Sequence, residues 1–116
     1  MIHVDTVKAF HATIHMAGSL DEARPIIQKF VLKGACVQVA ECEYIYTGGR
    51  EKGFTARIMA YARFPKPNCE ILKEANELAE ELLVGLSQNS LSIETPVSSS
   101  YFERKGAVKL AAPTKQ

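Results

Sequence analysis

Polar side chains that could hold an anion recur at alternate positions in two segments of the chain. They are His11, Thr13 and His15 in the segment 9–17, and Arg57, Tyr61 and Arg63 in the segment 54–63. Imidazole and guanidinium groups donate hydrogen bonds to anions, and tyrosine and arginine stack on flat rings. We therefore predict a site for a phosphate-bearing small molecule, in which arginines contact phosphate and tyrosine contacts a base.

The glycine-rich segment 47–53 adds Arg50 to these candidates. It does not lead into a helical pattern, and it lacks both the Walker and the G-x-G-x-x-G spacing, so a hairpin turn is favoured over a phosphate-binding loop. Arg50 could still close over a ligand from a neighbouring subunit.

Catalytic arrangements find little support in the sequence. His11 and Thr13 match the H-x-T element of two-histidine phosphodiesterases, but such enzymes need two copies and no second copy is present. Position 2 is Ile2, which excludes a tautomerase with an N-terminal proline. Nothing near Cys36 or Cys42 supports a nucleophilic thiolate. We therefore predict a protein that is not an enzyme.

Metal binding is also not expected. Two histidines that are four residues apart on a helix can bind one metal ion. On a strand, however, His11 and His15 would be about 13 Å apart. The three cysteines, Cys36, Cys42 and Cys69, form no C-x-x-C pair, so a structural zinc site is not expected. They are interpreted as small reduced filler residues. The sequence indicates no cofactor.

The 116 residues suit one domain, and 14 basic against 13 acidic residues give almost no net charge. Duplex DNA binding, which usually requires a basic excess, is therefore not expected. The first residues lack the apolar run of a signal peptide or a membrane span. We expect a cytoplasmic protein with no membrane partner.

Hydrophobic periodicity predicts the element order β–α–β–β–α–β, with strands at 9–17, 35–47, 54–63 and 91–97. The first helix follows Ser19 and ends at Gly34, and Pro25 favours a start at that proline. The apolar phase of the second strand shifts, which indicates a bulge near Ala40 or burial of both faces.

The second helix is predicted for residues 69–86, with Asn68 as its N-cap. Its acidic residues are predicted to face water: Glu70, Glu74, Glu77, Glu80 and Glu81. Pro96 places the last strand at a sheet edge. Residues 1–100 are expected to form a single domain, and residues 101–116 a C-terminal arm or flexible tail.

This order is that of the ferredoxin-like α+β fold, an antiparallel sheet with two helices on one face. Its usual strand order makes the first and third strands neighbours, which would bring the two sets of polar side chains together. A second subunit could instead cover this open face, with Met59, Tyr61 and Tyr44 in the interface. Both alternatives imply a homo-oligomer. RNA binding is less favoured, because only Tyr61 supplies an aromatic side chain on the exposed face of the central strands.

The segments 46–53, 61–65, 88–90 and 95–96 together resemble small phage and prophage proteins. Over residues 8–97 the pattern is similar to the anti-Thoeris signal sponges. That resemblance implies an oligomer that binds cyclic ADP-ribose-type or cyclic oligonucleotide immune signals without degrading them.

We therefore predict a non-enzymatic oligomeric protein that sequesters a nucleotide-like ligand as a phage anti-defence function, in the cytoplasm of the host cell. Two alternatives remain open. The open face could bind another protein, or His11 or His15 could serve a small enzyme.

Overall fold

The structure is a computed structural model that describes residues 1–106. Two helices cover one face of a five-stranded antiparallel sheet, which confirms the predicted α+β ferredoxin-like fold. Its elements are β1 (His11–Ala17), α1 (Leu20–Phe30), β2 (Gln38–Tyr46), β3 (Gly49–Met59), α2 (Asn68–Gly85), β4 (Ser90–Thr95) and β5 (Ser98–Glu103). No helix in the described part of the chain is long and apolar enough to cross a membrane.

The strand order is β2-β3-β1-β4-β5, so the expected pairing of β1 with β3 is confirmed. Period-two alternation divides these strands between a core face and an open face. Ile14 pairs with Ala56 on the core side, and Thr13 pairs with Arg57 on the open side. The register therefore places the polar sets of the two central strands next to each other.

One apolar cluster joins the sheet to both helices. Its largest fully buried side chains are Phe54, Ile14, Ile71, Leu78 and Leu82. Burial of each such side chain contributes about 2 kcal/mol relative to exposure, so this cluster fixes the helices on the sheet.

Helix α1 begins earlier than Pro25 indicated. The Oγ of Ser19 accepts a hydrogen bond from the backbone N–H of Glu22 at 3.4 Å, and the helix starts at Leu20. Leu20 and Ala23 are buried in the core. Capping and burial of this first turn outweigh the hydrogen bond that Pro25 cannot donate.

The second hairpin is tighter than predicted. Its turn is confined to residues 47–48, and β3 already begins at Gly49. Strand β2 starts at Gln38 and pairs with β3 without interruption, so the predicted bulge at Ala40 is absent. The mixed apolar phase of β2 reflects its position at an edge of the sheet.

Strand β3 ends at Met59, so Tyr61 and Arg63 do not continue it. The backbone N–H of Ala60 donates to the carbonyl of Phe10, and the chain then turns, with Phe64 N–H donating to Tyr61 O at 3.0 Å. The period-two alternation of the sequence continues through this turn, which is why the strand was predicted to extend to residue 63.

A fifth strand was not predicted. The chain reverses after Thr95, whose Oγ1 accepts from the backbone N–H of Ser98 at 3.1 Å, and β5 then pairs with β4. Residues 101–103, assigned from the sequence to a C-terminal arm, belong to this strand. Residues 107–116 of that arm lie outside the described residues. Helix α2 begins at Asn68, and the residue at its N-cap is Pro67.

Candidate functional site

The open face brings three of the predicted site residues together. Thr13 lies opposite Arg57 in the β1–β3 ladder, and His11 lies opposite Met59. The Nδ1 of His11 is 3.1 Å from the Oγ1 of Thr13, which orients the imidazole and leaves its Nε2 for another partner. The grouping of His11, Thr13 and Arg57 follows from the strand register.

The Arg57 guanidinium carries a buried Nε that has no hydrogen-bond partner within residues 1–106. The side chain lines a cavity of about 350 Å³ together with His11, Phe10, Met59 and residues 5–7. An unpaired buried donor of a cationic group is costly, and it marks a position at which an acceptor would be stabilised.

His15 lies apart from this group. Its Nε2 is 2.9 Å from Oε1 of Glu94 across the β1–β4 pair. Both side chains are partly exposed, and this hydrogen bond provides a structural role for His15 within the sheet.

Two of the predicted arginines also lie elsewhere. Arg63 is exposed, with its guanidinium 5.3 Å from the centre of the Phe64 ring. Arg50 is exposed near the hairpin turn, and its Nε is 3.6 Å from Oε2 of Glu43. Neither arginine lines the cavity that contains Arg57.

Tyr61 is half-buried in the turn that follows β3. Burial raises the pKa of its phenol, and a hydrogen bond with Cys36 raises it further. The positive charge of Arg57 acts in the opposite direction. Tyr61 therefore remains a neutral hydroxyl at neutral pH and can donate or accept a hydrogen bond.

Glu74 was not among the predicted site residues, and it is only 8% exposed. Its Oε2 accepts a hydrogen bond from Nζ of Lys66 at 2.6 Å, and its Oε1 is buried without a partner among the described residues. The prediction that Glu74 faces water is wrong. Glu74 lies three residues after Ile71 and four before Leu78, so its position in the core stripe was the available signal.

A second cavity, of about 250 Å³, is lined by Glu74, Tyr61, Lys66 and Cys36. Apolar side chains complete its wall: Ile58, Met59 and Phe64. A buried carboxylate with one free oxygen favours a cationic group, and the apolar wall favours a hydrophobic body. Met59 lines both cavities, so the carboxylate and the guanidinium flank the end of β3.

Comparison with solved structures shows similarity to a phage enzyme. A phage SAM lyase in its apo state matches with a TM-score of 0.63 and 14% identity, over 85% of this chain and 92% of the other. A phage SAM lyase in complex with S-methyl-5′-thioadenosine matches with a TM-score of 0.65 and 11% identity, over 93% and 99% of the chains. At this identity the similarity shows the fold.

A further match is the periplasmic divalent cation tolerance protein CutA from Archaeoglobus fulgidus. Its TM-score is 0.42 and its identity is 17%, over 93% of this chain and 89% of the other, which is too low to support a functional comparison. No protein-family model matches the sequence, and a search of curated proteins gives no significant match.

These similarities correct the prediction of function. The expectation of a non-enzymatic, signal-sequestering protein is wrong, because the similar phage structures are those of a lyase. The resemblance to anti-Thoeris sponges finds no support among the solved structures, whereas the broader resemblance to small phage α/β proteins does.

Proposed function

We propose that this chain is an enzyme that cleaves S-adenosyl-L-methionine (SAM) and releases S-methyl-5′-thioadenosine. The observation that carries the proposal is the buried Oε1 of Glu74, which has no partner within residues 1–106 and lies in a cavity shared with Tyr61. The fold of phage SAM lyase, including a structure with S-methyl-5′-thioadenosine bound, supports it.

The chemistry of the cavity suits this substrate. SAM carries a sulfonium and an ammonium group, and a buried carboxylate stabilises a positive charge more strongly there than in water. Lys66 holds one oxygen of Glu74 at 2.6 Å and leaves the other for the substrate. The neutral Tyr61 hydroxyl supplies a hydrogen bond to a polar group of the substrate.

The proposed reaction breaks the bond between the sulfonium sulfur and the methionyl side chain. Its electron pair moves to sulfur, which becomes the neutral thioether of S-methyl-5′-thioadenosine. A carboxylate oxygen of the four-carbon amino-acid fragment attacks the carbon that loses sulfur, and the new C–O bond closes a lactone, so no water, oxidant or reductant is consumed. The atoms of SAM are divided between the two products.

Chromatography and mass spectrometry of SAM incubated with the pure protein test this proposal. We expect S-methyl-5′-thioadenosine together with a four-carbon product that lacks a water-derived oxygen. Glu74→Gln should lower the rate by about 100-fold, because it removes the charge that faces the substrate. Glu77→Gln is the matched control, since Glu77 forms only a surface ion pair with Lys33 at 3.1 Å. Intact SAM after incubation with folded wild-type protein would exclude this activity.

The predicted homo-oligomer is part of the same proposal. The backbone edges of β2 and β5 are unpaired within residues 1–106, and exposed apolar side chains lie along them, including Ile45 and Tyr101. Uncovered edges of this kind favour pairing with another chain. Sedimentation at several concentrations measures the assembly, and a monomer throughout would contradict it.

SAM as substrate refines the predicted ligand class. It retains the adenosine expected of a nucleotide-like molecule but carries no phosphate. An enzyme that consumes this methyl donor would act in the host cytoplasm, where a phage protein would meet it, and would deprive host methyltransferases of their substrate.

A further inference from the structure

We infer that Arg57 and His11 form a subsite for the carboxylate of the amino-acid part of the substrate. This inference rests on the proposed function and assigns a second, anionic recognition element to the same site. The Glu74 carboxylate is suited to a cationic group of the substrate. The Arg57 side chain lines a separate cavity, and Met59 lies between the two cavities.

Arg57 has an unsatisfied hydrogen-bonding group within residues 1–106. Its Nε is buried and has no acceptor, and the side chain forms no ion pair within residues 1–106. Asp5 lines the same cavity, but its Oδ1 accepts from the backbone N–H of Thr6 at 2.7 Å. A guanidinium in this state is most stabilised by an acceptor with two oxygens, because its planar donors match a carboxylate.

His11 also lines the Arg57 cavity, and its Nδ1 is 3.1 Å from the Oγ1 of Thr13. In the tautomer whose Nδ1 accepts from the Thr13 hydroxyl, Nε2 carries the proton and can donate to an anion in this cavity. Thr13 is itself buried and pairs with Arg57 across the strands, which restricts the positions that the His11 and Arg57 side chains can take. Two donors from adjacent strands therefore converge on one cavity.

The Arg57 cavity adjoins the Glu74 cavity. Met59 lines both of them, so they meet at the end of β3. One molecule that carries both cationic groups and a carboxylate, as SAM does, would satisfy both subsites. The two cavities have volumes of about 350 and 250 Å³, so a carboxylate or a cationic group alone would not fill both of them.

The test compares two ligands that differ in the amino-acid part. S-adenosyl-L-homocysteine retains the carboxylate and lacks the cleavable sulfonium, whereas S-methyl-5′-thioadenosine lacks the carboxylate. Calorimetry would measure both affinities for wild-type protein, Arg57→Gln, Arg57→Lys and the control Arg63→Gln. We expect Arg57→Gln to weaken the binding of S-adenosyl-L-homocysteine by about tenfold or more, because it removes a charge-assisted hydrogen-bonded pair. Its affinity for S-methyl-5′-thioadenosine should remain within about twofold, and Arg63→Gln should change neither.

Each outcome is decisive. Equal affinity of wild-type protein and folded Arg57→Gln for S-adenosyl-L-homocysteine would overturn the subsite and leave the proposed function standing. An equal loss for both ligands would also overturn it, since the residue would then act on the whole site. If Arg57→Gln does not fold, Arg57→Lys, which keeps the charge but not the planar donors, should show the same selective loss. Binding of neither ligand by wild-type protein would overturn the proposed function itself.

Discussion

The Nζ of Lys66 lies 2.6 Å from Oε2 of Glu74 and 3.3 Å from the carbonyl oxygen of Gly34. This ammonium group thus connects helix α2 to Gly34, the glycine that ends a 3₁₀ turn (Val31–Lys33) after α1. The pairing determines which oxygen of the buried carboxylate remains free, and so determines the direction from which a cation can approach Glu74.

Replacing Lys66 by Met should lower both activity and stability. Glu74 would then be a buried carboxylate without a partner, and we expect the free energy of unfolding to fall by about 2 kcal/mol. Urea unfolding measures this change, and SAM cleavage measures the activity. Lys66→Arg should restore most of the activity.

Lys33→Met is the matched control for that change. Its ion pair with Glu77 has both side chains more than 40% exposed, so the expected loss is below about 1 kcal/mol. Comparable losses from Lys33→Met and Lys66→Met would contradict the special role of the buried pair.

Tyr61 should make the stability of the protein fall at alkaline pH. Its folded-state pKa lies above the unfolded value of 10.0, so the unfolded chain loses the proton first. The contribution of Tyr61 is fully present below pH 10 and declines as the pH rises through the folded-state pKa. Urea unfolding between neutral and alkaline pH should show a weaker decline for Tyr61→Phe than for wild-type protein.

Cys36→Ala should lower the pKa of Tyr61, because the hydrogen bond between the phenol and Cys36 is one cause of its rise. Ultraviolet absorbance of the phenolate, taken as the difference between each protein and its Tyr61→Phe counterpart, would report the shift. Cys69→Ala serves as the control, since Cys69 is exposed and does not line the cavity. An unchanged Tyr61 titration in Cys36→Ala would refute the contact.

Gly53 permits the close approach of Tyr44 to the open face. A Cβ at this position would overlap the Tyr44 ring and lie 2.6 Å from the carbonyl oxygen of Met16. We expect Gly53→Ala to reduce the free energy of unfolding by about 2 kcal/mol. Gly49→Ala is the control, because the nearest atom belongs to the exposed ring of Tyr46 at 3.1 Å. Thermal unfolding of both variants separates the two cases, and equal melting temperatures would contradict this account.

Pro25 should destabilise helix α1, so its replacement should stabilise the protein. It lies in the interior of the helix and cannot donate to the carbonyl of Asp21. Pro25→Ala should increase the free energy of unfolding by about 1 kcal/mol, after the gain in unfolded-state entropy is subtracted. Gln28→Ala, at an exposed position of the same helix, should change it much less in the same urea titration. Destabilisation by Pro25→Ala would show that the proline is favoured here.

The fold class and most of the secondary-structure elements could be predicted from the sequence. Alternation in the segments 9–17 and 54–63 and the two helical stripes are local properties, and they predicted β1, β3, α1 and α2 with errors of a few residues. The adjacency of His11, Thr13 and Arg57 also followed, once the usual strand order of the fold was assumed. β5 was missed, because a short polar strand at an edge buries too little to show a period.

The surroundings of Glu74 and Tyr61 depend on tertiary packing. Charge pattern alone grouped Glu74 with the solvent-facing glutamates of its helix, since burial of a carboxylate depends on Lys66 from another segment. Alternation placed Tyr61 on the open face, whereas the end of β3 at Met59 turned it toward Cys36. Partners such as these are distant along the chain or lie beyond the end of a regular element, so local periodicity carries no information about them, and packing alone brings them together.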